Sequence, residues 1–318
     1  MDISVIIPVY GSQATLRPLT ERLVAVLDRT GKSYEIIFVD DDSPDQAWRE
    51  LTALQGANPA RITAIQLTRN FGQHNALMCG FHEARGRYVV TMDDDLQHPP
   101  EEIPKLLAEI ERTGLDVVYG RYGQKQHRPW RNLGSLAMNL AYRKVFGIPG
   151  QFTAFRVIRR EIVEAALSYG LNFTFIDGLL AWNTCRIGGV VVEHKERQHG
   201  RSGYNLRKLI LLSFNLLTNF SILPLQISTL LGLFSALVGF GLGAVYLWYA
   251  LFRGIAVPGY ASIIIAVLFL GGVQLFAIGI IGEYVGRLHL NVNRKPQFRV
   301  RRKLRDDEPH RDGTDVPP

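Results

Sequence analysis

The chain has 318 residues, 47% hydrophobic and 20% charged, with a net charge of +7; that length holds one sizeable domain with additions. Its two cysteines, Cys79 and Cys185, form no CxxC or zinc-type spacing, which excludes a disulfide framework and a thiolate metal site. The apolar residues concentrate between 222 and 286 and the positive surplus lies in the C-terminal part, so a membrane surface is indicated and nucleic acid is not.

Residues 3–9 read as a short buried strand. No basic and then apolar leader precedes them, and no cleaved signal peptide is expected. Gly11 and Ser12 turn the chain, and Leu16, Leu19, Leu23 and Val26 mark one helix face. Residues 34–39 are a second strand, ending in Asp40-Asp41-Asp42. Ser43 as N-cap, Pro44 at the first helical position and Gln46 three residues on then predict a helix to about Leu54. Residues 62–67 are a third strand, ending at Thr68-Arg69-Asn70-Phe71-Gly72. A helix over 74–84, a strand over 88–92, a helix over 100–112 and a strand over 116–120 follow. Strict alternation predicts an α/β domain: a parallel sheet with helices on both faces and ligands outside the carboxyl ends of the strands. Those ends are polar, charged or glycine-containing at five places, which points to one shared site. With no G-x-G-x-x-G and no P-loop, neither a dinucleotide nor a Walker-type phosphate grip is indicated.

The sharpest chemistry lies in YVVTMDDDLQHPP, residues 88–100. Successive strand residues alternate sides, so Asp93 and Asp95 are expected to converge while Asp94 points away. Two convergent carboxylates repel unless a cation lies between them. An all-oxygen set suits Mg²⁺ or Mn²⁺, with substrate phosphate and water completing the shell. The bland alternative is a solvated acidic turn.

From Trp130 the pattern loosens. Residues 131–146 and 173–183 read as helices, 155–158 and 190–194 as strands, and 197–204 as a polar flexible stretch. Residues 205–221 fit an amphipathic helix in the membrane interface. Residues 227–252 carry no charge and 260–281 are a second apolar run; each is long enough to span a bilayer. Basic residues flank the pair on both sides, while the short connection carries only Arg253. Positive-inside then places both flanks in the cytoplasm. The expected organisation is a cytoplasmic domain over 1–204, an interfacial helix over 205–221, a two-helix membrane hairpin over 222–286 and a basic cytoplasmic tail over 287–318 whose end is disordered.

The segments VIIPVY (5–10), VDDDSPD (39–45), LTRNFGQHNALMCGF (67–81), MDDDLQHPPEEIP (92–104) and GEYVGRLHLNVNRKPQF (282–298) together resemble family 2 glycosyltransferases of GT-A fold. Within that family they resemble the polyisoprenyl-phosphate glycosyltransferases, the group of dolichol-phosphate mannose synthase and the bacterial GtrB and ArnC types. The resemblance implies an inverting transfer from a nucleotide-sugar, by family analogy a UDP-sugar, to a polyisoprenyl phosphate such as undecaprenyl phosphate. It implies that Pro8, Tyr10, Asp40 and Asp41 hold the base and ribose, with Arg69, Asp94 and Arg156 among the other binding residues. Asp93 and Asp95, with Gln97, hold Mg²⁺ or Mn²⁺ on the diphosphate. Arg121, Arg131 and Ser135 lie where the family contacts the acceptor phosphate, and Arg197, Ser202 and Tyr204 match its mobile loop. Relatives of this subgroup can be homo-oligomeric.

Three departures stand out. Asp42 replaces a common Gly, and Ser12 a frequent acidic residue. Thr153-Ala154-Phe155-Arg156 stands where several relatives read Gly-Asp-Phe-Arg, so Ala154 replaces their proposed base. Asp177 is then a candidate substitute base, or simply a charge at a helix start. Two alternatives remain beside the transferase. A processive polysaccharide synthase needs a Gln-x-x-Arg-Trp motif, which residues 126–130 lack, and a non-catalytic scaffold sits poorly with the four intact aspartates.

Overall fold

The computed structural model of the protein describes residues 1–122, 153–170, 174–193, 223–252, 260–293 and 296–306. The chain divides into two units, Met1–Gly203 with Pro296–Pro318, and Tyr204–Lys295.

In the first unit, β1 (Ile3–Val9) and β2 (Tyr34–Asp40) are buried along their whole length. Central strands covered on both faces require such near-continuous apolar runs. With β3 (Ile62–Leu67), β4 (Tyr88–Thr91), β5 (Val117–Tyr122), β6 (Arg156–Arg159), β7 (Ile187–Val192) and β8 (Val300–Leu304) they form one sheet, in the order β7-β5-β6-β4-β1-β2-β3-β8. β6 runs antiparallel to β4 and β5, and β8 antiparallel to β3; the other pairings are parallel. The wholly parallel sheet expected from alternation is thus corrected to a mixed one. The strict alternation covers only β1 to β5, and both reversed strands come from later in the chain. The carboxyl ends of β1 to β5 and the start of β6 therefore share one sheet edge.

Helices cover both faces. α1 (Gln13–Arg29) buries Leu16, Leu19, Leu23 and Leu27, the stripe that a 3.6-residue period predicts. It packs with α2 (Ala47–Ala57) and α4 (Ile103–Thr113) against Ile3, Val5, Ile7 and Phe38. α3 (Gln73–Glu83) lies on the opposite face, over Ile6. Gly80 permits that approach, because a Cβ there would lie 2.3 Å from Ile6 Cγ2. α5 (Arg160–Leu167) and α6 (Ile176–Asn183) complete the described helices of this unit.

Two expectations are corrected here. α2 starts at Ala47 rather than after a Ser43 cap. The Ser43 hydroxyl instead accepts a hydrogen bond from Gly11 N at 3.1 Å, and Asp45 accepts from Ala47 N at 3.1 Å and Gln13 N at 2.9 Å. The stretch thus ties the β2–α2 connection to the β1–α1 turn. The basic stretch 301–305, expected in a cytoplasmic tail, forms most of edge strand β8. Three of its four charges have ion-pair partners within the same unit: Arg301 with Asp42, Lys303 with Glu83, and Arg305 with Glu35 and Glu83.

The second unit holds α7 (Leu223–Phe252) and α8 (Tyr260–Val292). Within them Pro224–Leu242 and Phe269–Leu290 are long and apolar enough to cross a membrane. Leu237, Phe240, Leu275 and Ile278 are each more than half exposed, an arrangement suited to lipid and costly in water. The expected helices over 131–146 and 205–221 lie outside the described residues.

Candidate active site

β4 is shorter than expected. Met92 N still donates to Ile6 O at 3.2 Å, but the strand ends at Thr91 and residues 93–95 lie in the loop beyond it. Strand alternation therefore does not govern the three aspartates. Asp93 Oδ1 accepts from Gln73 Nε2 at 2.6 Å, and Asp95 Oδ1 from Gln97 N at 3.1 Å. Asp94, expected to point away, turns back to the β1–α1 turn, where its Oδ2 accepts from Tyr10 N at 3.2 Å and from the Ser12 hydroxyl. Burial pushes the Asp94 carboxyl up to about 6, against the pull of those two donors. This contact gives the Ser12 departure a physical reading: an acidic side chain at 12 would meet Asp94 as a like charge.

All three aspartates line a cavity of about 270 Å³ together with Pro8, Val9, Tyr10, Asp41, Asn70, Gly72 and Gln73. Asp41 lines the same cavity. Its two carboxylate oxygens accept from Phe71 N at 2.7 Å and Gly72 N at 2.8 Å, so one side chain holds the β3–α3 loop in place. Burial raises the Asp41 carboxyl above the usual range, and the two backbone donors oppose that rise. Gly72 has φ 91, a backbone position that favours glycine. Asp40 differs from its neighbour. It is fully buried, accepts from Ser43 N at 3.1 Å and Gln66 Nε2 at 3.2 Å, and is not among the residues lining the cavity. Asp42 has φ 57, which explains why glycine is common there; aspartate is among the few side chains that tolerate the left-handed region. Arg69 is exposed, with its guanidinium carbon 4.6 Å from the centre of the Phe71 ring.

The start of β6 lies on the same edge. Thr91 Oγ1 donates to Ala154 O at 2.6 Å and accepts from Arg156 Nε at 3.1 Å. Arg156 is only 1% exposed and pairs with Asp177, whose Oδ1 also accepts from the Tyr119 hydroxyl at 2.8 Å. Asp177 thus serves as counter-ion to a buried guanidinium, a role the sequence reading did not assign it. His74 lies beside this group, its ring 5.4 Å from that of Phe175, and burial pushes its imidazole down to about 4, leaving it neutral. Arg121 is the penultimate residue of β5, and its side chain covers Gly189, where a Cβ would lie 2.3 Å from Nε. Of the residues singled out from sequence, Pro8, Tyr10, Asp41, Asp93, Asp94 and Asp95 come together in one cavity. Arg156 and Asp177 form a separate buried pair. Gln97 contributes a backbone contact to Asp95. Arg131, Ser135, Arg197, Ser202 and Tyr204 lie outside the described residues. Sequence reasoning missed Gln73, which it placed one residue before α3, and Tyr119.

The model of the glycosyl transferase family 2 matches residues 4–167, just over half of the chain, and that of the GtrB C-terminal hairpin matches residues 223–288. The chain belongs to glycosyltransferase family 2. The undecaprenyl-phosphate 4-deoxy-4-formamido-L-arabinose transferase of Pseudomonas aeruginosa (strain LESB58) is 39% identical over 95% of this chain and 90% of its own length. The transferase of the same name from Pectobacterium carotovorum (strain PC1) is 37% identical over 95% of this chain and 94% of its own. Among solved structures, glucosyl-3-phosphoglycerate synthase of Mycobacterium tuberculosis aligns with 68% of this chain and 78% of its own, at 20% identity and a TM-score of 0.49. The family match lies within the first unit, the GT-A domain, and the hairpin match within the second.

Among the described residues no three His, Cys, Asp or Glu side chains come together as a ready metal cage. Asp93 and Asp95 bring hard carboxylate oxygens to the cavity lining, while Asp94 is tied to Tyr10 and Ser12. That set fits Mg²⁺ or Mn²⁺ shared with a diphosphate, since such ions bind through one or two carboxylates plus substrate oxygens and water.

Proposed function

We propose that the protein transfers one sugar from a nucleotide-sugar to undecaprenyl phosphate at the cytoplasmic face of the inner membrane, supplying a lipid-linked sugar for the cell envelope. The observation that carries this reading is the pairing of a carboxylate-lined cavity at the sheet edge with two bilayer-length helices, in a chain similar along 95% of its length to transferases of that lipid. Pro8, Tyr10 and Asp41 take the nucleoside side of the donor, and Asp93 and Asp95 hold the divalent cation. That cation, when bound, stabilises charge on the departing diphosphate. Arg121, with Arg131 and Ser135, orients the acceptor phosphate.

Ala154 does not block such a reaction. A sugar hydroxyl must lose a proton to attack, but a phosphomonoester, with a second pKa of about 6, is already largely ionised at neutral pH. One of its oxygens bonds to the anomeric carbon, the bond from that carbon to the diphosphate breaks, and the nucleoside diphosphate leaves with inversion. The protein's task is then positioning and charge stabilisation. Asp177, held by Arg156 and Tyr119, stands outside the chemistry as a structural counter-ion.

The reading also fixes an orientation, because nucleotide-sugars are cytoplasmic. In intact cells a cysteine at Gly254, between the two spans, is expected to react with an impermeant maleimide added outside. One replacing exposed Arg302 in β8 is expected to react only after lysis. The reverse labelling pattern would place the GT-A domain on the wrong side for its donor.

A further inference from the structure

We infer that Arg301, in the strand that follows the membrane hairpin, is a positioning residue for the nucleotide side of the donor cavity; this deepens the reading proposed above and rests on it. β8 pairs antiparallel with β3, Ala64 opposite Leu304, Ile65 opposite Lys303 and Gln66 opposite Arg302, but Leu67 pairs with Val300. The register shift leaves Arg301 as the extra residue of a bulge. A bulge bends its strand and re-aims the side chain it carries, and bulges are common beside active sites.

The Arg301 side chain reaches two loops at once. Its Nη1 donates to Asp42 Oδ1 at 3.2 Å and its Nη2 to Thr68 O at 2.7 Å. Asp42 directly follows Asp41, whose carboxylate holds Phe71 N and Gly72 N. Thr68 opens the loop that supplies Asn70 and Gly72 to the cavity wall. Arg301 therefore bridges the backs of the two connections whose fronts line the cavity, and a planar guanidinium holds two acceptors in a fixed relation that an ammonium cannot. Asp42 has φ 57, and the ion pair helps fix the residue that sets the direction of Asp41.

The strand does not depend on Arg301 for its docking. Thr68 N donates to Arg299 O at 2.9 Å, Gln297 Nε2 to Tyr169 O at 2.9 Å, and the Phe298 ring lies 5.7 Å from that of His82. Lys303 pairs with Glu83 at 3.0 Å, and Arg305 joins Glu83 at 2.9 Å to the buried Glu35 at 3.3 Å. Removing Arg301 thus leaves the strand docked and loosens the two loops, whereas removing Lys303 weakens docking and leaves the bridge.

The test is calorimetric titration of the full-length, detergent-purified protein with UDP, GDP and dTDP in Mg²⁺, together with thermal melts. For the nucleotide that binds the wild type, Arg301→Ala is expected to raise Kd roughly fivefold, the equivalent of about 1 kcal/mol, as suits a half-exposed charged contact. Arg301→Lys should fall between the two. Asp42→Asn, which tolerates the same backbone conformation, should weaken binding less than Arg301→Ala and add little to it when combined. Lys303→Ala should lower the melting temperature and leave Kd unchanged. An unchanged Kd in Arg301→Ala, or an equal loss in Lys303→Ala, overturns the positioning role while the donor reading stands. A wild type that binds none of the three nucleotides overturns both.

Discussion

Asp177→Asn is expected to destabilise the GT-A domain by about 3–5 kcal/mol, the cost of leaving one partner of a buried ion pair without the other. Arg156 is fully buried, and its described partners are Asp177, Thr91 and the face of the Tyr119 ring. An amide at 177 keeps the shape and an acceptor oxygen but removes the charge, while the guanidinium stays ionised. Thermal melts in detergent should show a fall on the order of 10 °C. The double variant Arg156→Met, Asp177→Asn should recover much of it, since replacing the guanidinium as well removes the uncompensated charge. The same variants separate structure from chemistry. In a base-free transfer, turnover per folded molecule of Asp177→Asn stays near that of the wild type at a temperature where both are folded. A normal melt with abolished turnover would instead make Asp177 the base that Ala154 lacks.

Asp95→Asn is expected to lower transfer by two to three orders of magnitude, on the order of what loss of one preorganised group facing developing charge costs. Its melting temperature should change little, since the side chain is only half-buried and lines the cavity rather than the core. Asp93→Asn should behave alike. Chelation by EDTA should reproduce the loss in the wild type, and added Mg²⁺ or Mn²⁺ should restore the wild type but neither variant. Asp40→Asn offers the contrast. Asp40 is buried between Ser43 and Gln66, and burial raises its carboxyl above the usual range, so its replacement should act on stability more than on metal dependence. Full activity of the wild type in chelator would remove the cation from the account.

The sheet was legible because its strands are buried runs of β-formers, and each break between them is marked by Gly, Pro or Asp. The site was legible as a set of strand ends and loops for the same reason: Asp40, Asp41, Asp93, Asp94 and Asp95 all end or follow strands whose carboxyl ends must share an edge. Which aspartate faces the cavity was not legible. Period-two alternation holds only while the chain stays in a strand, and β4 stops at Thr91, two residues before Asp93. Asp94 is then claimed by Ser12, 82 positions away in sequence, a contact no local pattern encodes. The role of Asp177 was hidden likewise, since its partners Arg156 and Tyr119 reach it only once β5 and β6 pair. β8 was hidden by charge. Val300–Leu304 has the composition of a solvated basic tail, and it becomes a strand because β3 offers an open edge and Glu35, Glu83 and Asp42 supply the counter-charges.

The most direct measurement is sugar transfer by the purified, full-length protein with undecaprenyl phosphate and a panel of radiolabelled donors, scored for a chloroform-soluble product. The panel begins with UDP-4-deoxy-4-formamido-L-arabinose, the sugar named for the relatives, and includes other UDP-, GDP- and dTDP-sugars. The account predicts a lipid-linked product from one donor class, formed only with divalent cation and absent with Asp95→Asn. A folded, nucleotide-binding wild type that yields no lipid-linked sugar from any donor, or yields it equally with Asp95→Asn, would contradict it.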